Sequence, residues 1–343
     1  MNAPLSQSGA AALELNGLSQ PELDKRQRLI ESIKRNLGPG VLAALEDPKV
    51  FEVMLIGSGE IWTDSVHKGL RPLEIGGSRV RISATAARNM MWTLAQMLDT
   101  TVGPDNPILE GEFPLHGERF EGLLPPAVAR PIFAMRKLAE AIFTLEEYVR
   151  RGIMTLGQLE AIHDAVLKRK NILVVGGTST GKTTLVNAIL DAVAALTPQH
   201  RIIIIEDTRE LQCHAPNVEF LRTSLKTTIQ HLLRATMRLR PDRIIVGEVR
   251  GAEALYLLKA WNTGHPGGLG TIHADGALDG LYRLDELIQE AGVPSKLGLI
   301  GRAVDVVLFI EKDPNAPAGR LLKEVLAVDR YDSGLSNFVV RSL

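Results

Sequence analysis

Apolar positions in the first 140 residues recur at helical or alternating spacing, whereas after residue 170 they gather into short unbroken runs. The first twenty residues, rich in Ala, Ser, Gln and Gly, read as a flexible tail. From Pro21 to Leu45, Leu23, Leu29, Ile30, Ile33 and Leu37 predict a helix closed by Gly38-Pro39-Gly40. The stretch FEVMLIGSGEIWTDS predicts two strands around a Gly57-Ser58-Gly59 turn. Ala86, Met90, Leu94 and Met97 place a second helix over about Ser83–Asp99, with Ser83 as its cap. Between Gly103 and Pro131 the prolines favour short strands such as Arg119–Leu123. These elements make an N-terminal α+β domain over residues 21–143. Residues 144–156 read as a linker, and residues 157–343 as a second domain.

That second domain has a different signature. Ile172–Val175, Ile202–Ile205 and Ile244–Val246 are apolar at every position, as strands buried on both faces of a parallel sheet must be. Leu185, Ile189, Val193 and Leu196 recur at helical spacing directly after the first of them. The expectation is an α/β P-loop domain with a twisted, parallel-rich sheet.

Composition narrows the classes open to it. A chain of 343 residues can hold two domains with sizeable cores, and a net charge of −1 supplies no general field for nucleic acid. The single cysteine, Cys213, excludes a disulfide framework and a multi-cysteine zinc module. No apolar run approaches the roughly 18 residues that span a bilayer, and the N-terminus lacks a signal-peptide pattern. A cytoplasmic protein, reaching a membrane only through partners, is expected.

The chemistry lies in four segments. Gly176-Gly177-Thr178-Ser179-Thr180-Gly181-Lys182-Thr183-Thr184 contains a complete G-x-x-x-x-G-K-[ST] phosphate loop, set between a strand and a helix. Its amides and helix N-terminus suit the phosphates of ATP, Lys182 the β- and γ-phosphates, and the Thr183 hydroxyl Mg²⁺. Glu206 and Asp207 follow the isoleucine strand, where open α/β sheets bind ligands. Glu248 follows the next strand, with Gly247 at the position where many families place a Mg²⁺-binding aspartate. A carboxylate there can hold or activate water. His265 and His273 lie in a glycine-rich stretch and suit γ-phosphate sensing better than zinc binding. Arg234, Arg238, Arg240 and Arg243 form no extended basic face, so direct nucleic-acid binding is not indicated. An intersubunit or phosphate-facing role is more economical for them.

In order, GGTSTGKTT, IIIIEDTREL, RLRPDRIIVGEVRGAEAL and AWNTGHPGGLGTIHA resemble the Walker A, Asp, Walker B and His boxes of the secretion, or traffic, ATPases. The segment from Leu239 to Ala274 is most similar to the TrbB-type conjugal-transfer ATPases, VirB-class motors of type IV secretion. The resemblance implies a RecA-like C-terminal domain, a cytoplasmic homohexamer and partners among inner-membrane components of the secretion apparatus. It also implies ATP-driven domain motion that powers DNA transfer and pilus assembly. It gives catalytic roles to Lys182, Glu206, Glu248 and His273, and puts Thr183, Glu206 and Glu248 around Mg²⁺. Arg119 and Arg136 look like the N-terminal-domain arginines that reach the γ-phosphate, with Arg130 competing for the second place. The rival classes are a pilus or type II secretion motor, whose tetracysteine version the single cysteine excludes, and a RecA-like DNA-dependent ATPase.

Overall fold

The structure, a computed structural model, describes residues 19–65, 68–138, 143–224 and 226–343. The expected tail therefore lies outside the described residues up to its last two positions. Contacts divide the chain into two compact units on either side of the 140/141 bond.

In the first unit, α1 (Gln20–Glu46) opens with Ser19 and Glu22 in reciprocal contact, the Ser19 amide donating to the Glu22 carboxylate at 2.7 Å. The helix does not close at Gly38-Pro39-Gly40. It kinks at Gly38 (φ 76°) and resumes, because Val41, Ala44 and Leu45 have a core to enter and Pro39 fits a fresh first turn. Strands β1 (Val50–Leu55) and β2 (Ile61–Ser65) form the expected hairpin, followed by short β3 (Arg71–Pro72), β4 (Glu74–Ile75) and β5 (Ser78–Arg79). Helix α2 (Ala84–Met97) is capped by Ser83, whose hydroxyl accepts from the Ala86 amide. Strands β6 (Ile108–Glu112), β7 (Arg119–Leu123) and β8 (Ile132–Arg136) complete a six-stranded antiparallel sheet, ordered β3-β2-β1-β8-β7-β6. Alternation decides its faces. Phe120, Phe133 and Met135 join Ile33, Met90 and Leu94 in one core, while Arg119, Glu121 and Arg136 fall on the other face.

The whole of the expected linker, residues 144–156, falls inside the second unit. Helix α3 (Leu145–Arg150) is capped by Thr144, and Leu145, Tyr148, Ile153 and Met154 are buried in the core of this unit. Four buried apolar side chains in ten residues make this stretch a structural element and not a spacer. After α4 (Leu156–Leu167), the chain builds β9 (Ile172–Val175), α5 (Lys182–Leu196), β10 (Ile202–Glu206), β11 (Val218–Arg222) and α6 (Ile229–Thr236). It continues with β12 (Arg243–Val246), α7 (Glu253–Asn262), β13 (Leu269–Ile272), α8 (Ala277–Gln289), α9 (Leu297–Ala303), β14 (Val306–Lys312), β15 (Arg320–Asp332) and β16 (Asn337–Ser342). The sheet order is β11-β10-β12-β13-β9-β14-β15-β16. Its first six strands are parallel and the last two join antiparallel. The isoleucine run shows why every position is apolar. Ile202 and Ile204 enter the core on one face, Ile203 and Ile205 the core on the other. Among the described residues, no helix is long and apolar enough to cross a membrane.

Candidate nucleotide site

Parallel strands deliver their carboxyl ends to one edge of the sheet, and four of them bring the predicted segments together there. The phosphate loop leaves β9, the Glu206 segment β10, Glu248 β12, and His273 β13. Ser179 and Gly181 take positive φ (58° and 102°), a geometry that turns successive amides inward. Helix α5 then starts at Lys182, so its N-terminal partial charge faces the same space. The Lys182 ammonium is buried and donates to Gly176 O (2.8 Å) and Gly177 O (2.9 Å). It also lies 3.2 Å from His273 Nδ1.

From Lys182 a polar chain runs on to Glu248. His273 Nε2 is 2.9 Å from Glu248 Oε1, and Arg250 Nη2 is 2.5 Å from Glu248 Oε2. Burial and the Lys182 charge lower the His273 pKa and favour neutral imidazole. The same ammonium is 3.4 Å from Nε2, so it lies beside the ring and not in line with either nitrogen, and it is Glu248 that selects the tautomer, with Nε2–H donating to its carboxylate. Burial opposes ionisation of Glu248, but Arg250, His273 and Lys182 outweigh it and hold the carboxyl below its ordinary value. Arg250 also approaches Asp207 (3.8 Å), which accepts from the Thr223 hydroxyl.

The Asp-box carboxylates divide differently from the sequence expectation. Glu206 is buried, and its Oε1 accepts from the amides of Glu210 (3.0 Å) and Leu211 (2.8 Å). Burial raises its pKa to about 7 against the pull of those two bonds. Glu206 thus folds the 207–211 loop, and the carboxylate brought to the Thr183 hydroxyl (3.2 Å) is that of Glu210. Glu210 was missed because it sits four residues beyond the strand end, in a loop whose course the spacing does not reveal. Its one signal was the second glutamate of EDTREL. Gly247 has a packing reason. A β-carbon there would lie 3.2 Å from Glu206 Cγ, so glycine leaves room for the inward-turned glutamate. Among the described residues no group of three His, Cys, Asp or Glu could hold a metal ion. Mg²⁺ would therefore need phosphate oxygens besides the Thr183 hydroxyl and a carboxylate, which are the hard oxygen donors it prefers.

Two expectations move away from this edge. His265 precedes β13 and so lies at the amino edge of the sheet, the opposite end from the phosphate loop, with its Nδ1 buried and unpartnered. Arg243, expected in an intersubunit or phosphate-facing role, opens β12 at that same amino edge. It is 1% exposed and donates to His200 Nδ1 (3.1 Å), Gly267 O (3.1 Å) and Val166 O (2.7 Å). Burial lowers its pKa to about 10.

In the first unit, Arg119 and Arg136 are direct cross-strand partners on one sheet face, flanked by Glu112 opposite Arg119 and Glu52 opposite Arg136. Arg130 precedes β8, the strand that Arg136 ends, and instead lines a cavity of about 310 Å³ with Arg81 and Ser83.

Residues 121–313 match the family described as type II/IV secretion system protein. The chain belongs to the type II/IV secretion system protein family. Within it, the chain is 42% identical over 310 residues to the conjugal transfer protein TrbB of Rhizobium radiobacter, covering 90% of this chain and 93% of that one. It is 30% identical over 308 residues to the VirB11 protein of Agrobacterium fabrum, covering 78% and 86%. The structure is similar in fold to the ATPase DotB of Legionella pneumophila, with a TM-score of 0.59, 17% identity, and coverage of 86% of this chain and 80% of that chain. The chain is a P-loop ATPase of this family.

Proposed function

We propose that this protein is the traffic ATPase of a conjugative type IV secretion apparatus. In this reading it is a homohexameric ring at the cytoplasmic face of the inner membrane, where ATP hydrolysis powers DNA transfer and pilus assembly. The observation that carries the chemistry is the convergence of Lys182, Thr183, Glu210, His273 and Glu248 at one sheet edge. Similarity to a conjugal transfer protein supports the setting.

The loop amides of Gly176–Thr184 and the α5 N-terminus hold the phosphate chain. Lys182 exchanges its contacts with Gly176 O and Gly177 O for the β- and γ-phosphates. Mg²⁺, when bound, neutralises phosphate charge, held by Thr183 with Glu210 in the place first expected of Glu206. Glu248 orients the attacking water and accepts its proton, and Arg250 fixes the rotamer of Glu248. His273, next to both Lys182 and Glu248, senses the γ-phosphate. Arg119 and Arg136 form a cationic pair for the γ-phosphate, an arrangement suited to driving domain motion between ATP and ADP states.

The test is electron microscopy and ATPase assay of the wild type and Lys182→Ala, with and without a nonhydrolysable ATP analogue, beside complementation of conjugal transfer. Six-membered rings, Lys182-dependent turnover and restored transfer are expected. A monomer in both nucleotide states, or turnover strictly dependent on added DNA, would overturn the reading.

A further inference from the structure

The phosphate loop is packed against the β14–β15 hairpin at both of its ends. A β-carbon on Gly176 would collide with Ile310 O, and one on Gly181 would stand 2.5 Å from Arg320 Nη1. The Arg320 guanidinium therefore lies directly over the residue that precedes Lys182. Its backbone is firmly held. Arg320 pairs with Lys312 at the start of β15, Asp313 N donates to Gly319 O (3.1 Å), and Leu322 N to Ile153 O (2.7 Å). The buried Tyr148 phenol, whose pKa burial raises, feels the Arg320 charge as its main opposing influence. Arg320 is only partly buried, and among the described residues it makes no hydrogen bond or ion pair. A guanidinium held against the phosphate loop at Gly181, with no ion-pair partner among the described residues, is suited to an anion.

The sheet order says which part of a nucleotide it meets. Glu248 and His273 follow β12 and β13, on one side of β9, whereas β14 and β15 lie on the other. Arg320 thus approaches the loop from the side away from the hydrolytic groups. We propose that Arg320 is a nucleotide-binding residue that contacts the α- and β-phosphates and holds the ADP portion through the cycle. This rests on the nucleotide-site reading above, which assigned the residue no role. Gly181 then serves twice, through its positive φ and by leaving room for the guanidinium.

The experiment is titration of full-length wild type, Arg320→Gln and Arg320→Lys with fluorescent ADP, and with ATP and adenosine as competitors. Arg320→Gln should weaken ADP and ATP alike, by roughly 10–100-fold, as loss of a charge-assisted bond implies. Arg320→Lys should recover part of that loss. Adenosine competition and the melting temperature without nucleotide should not change. Unaltered ADP affinity, a loss confined to ATP, or an equal loss for adenosine would each overturn the assignment. A wild-type protein that binds neither ADP nor ATP would instead overturn the nucleotide-site reading, so the two failures are distinguishable.

Discussion

Replacing Glu206 separates a carboxylate that shapes the site from one that would act in it. In Glu206→Ala the amides of Glu210 and Leu211 lose their common acceptor, Oε1, at 3.0 and 2.8 Å. An unmet buried donor costs about 1–3 kcal/mol, so the 207–211 loop should lose about 2–6 kcal/mol of local stability. Even the lower figure raises the open population by roughly 30-fold. Arg209 lies within this loop, and limited trypsin digestion reads that population directly when opening is fast relative to cleavage. Glu206→Ala should be cut after Arg209 at least about 30-fold faster than wild type, with ATPase activity lost because Glu210 no longer faces Thr183. Glu206→Gln keeps a carbonyl oxygen that can accept both amides, and it should retain loop protection and most of the turnover. Glu210→Gln should keep the protected loop and lose Mg²⁺-dependent turnover. Equal inactivity of Glu206→Gln and Glu206→Ala, with Arg209 protected in both, would show that the Glu206 charge takes part in the chemistry and would refute the division.

Glu248→Gln should bind ATP in a filter or fluorescence assay yet hydrolyse it more slowly by a factor on the order of 10²; abolished binding would assign Glu248 to structure instead. Arg119→Ala and Arg136→Ala should each depress turnover by roughly 10–10³-fold while ADP affinity holds, and Arg130→Ala should match wild type; normal turnover in the first two would remove the N-terminal arginines from catalysis. His200 sits among Arg243, Arg169 and Asp242, and burial followed by the two arginines lowers its pKa. The unfolded histidine therefore takes up its proton first as pH falls, so its contribution is present above about pH 6.5 and is lost below it. The urea midpoint of wild type should fall more between pH 7 and 5.5 than that of His200→Asn, and parallel curves would show that the Arg243 contact does not require neutral imidazole.

Much of this molecule follows from local pattern. A run such as Ile202–Ile205 can be stable only with both faces covered, so it specifies a parallel sheet without knowledge of its neighbours. The phosphate loop is legible because glycine freedom, a lysine and a hydroxyl are needed at fixed spacing along one continuous segment, and Ser83 announces its helix for the same local reason. What the local pattern could not decide is where loop side chains turn after leaving a strand. Glu206 and Glu210 share one acidic segment, and only the packing of Gly247 against Glu206, with two amides waiting inside, sends the first inward and leaves the second beside Thr183. Arg243 groups in the sequence with Arg234, Arg238 and Arg240 in an intersubunit or phosphate-facing role because a sequence carries no mark of three acceptors converging from distant elements. His265 and His273, eight residues apart, both suited γ-phosphate sensing by their loop setting, and only the direction of β13 puts them at opposite edges of the sheet. Arg320 had no motif at all. A strand pairing about 140 residues after the phosphate loop set its guanidinium over Gly181, a long-range packing relation that no local spacing encodes.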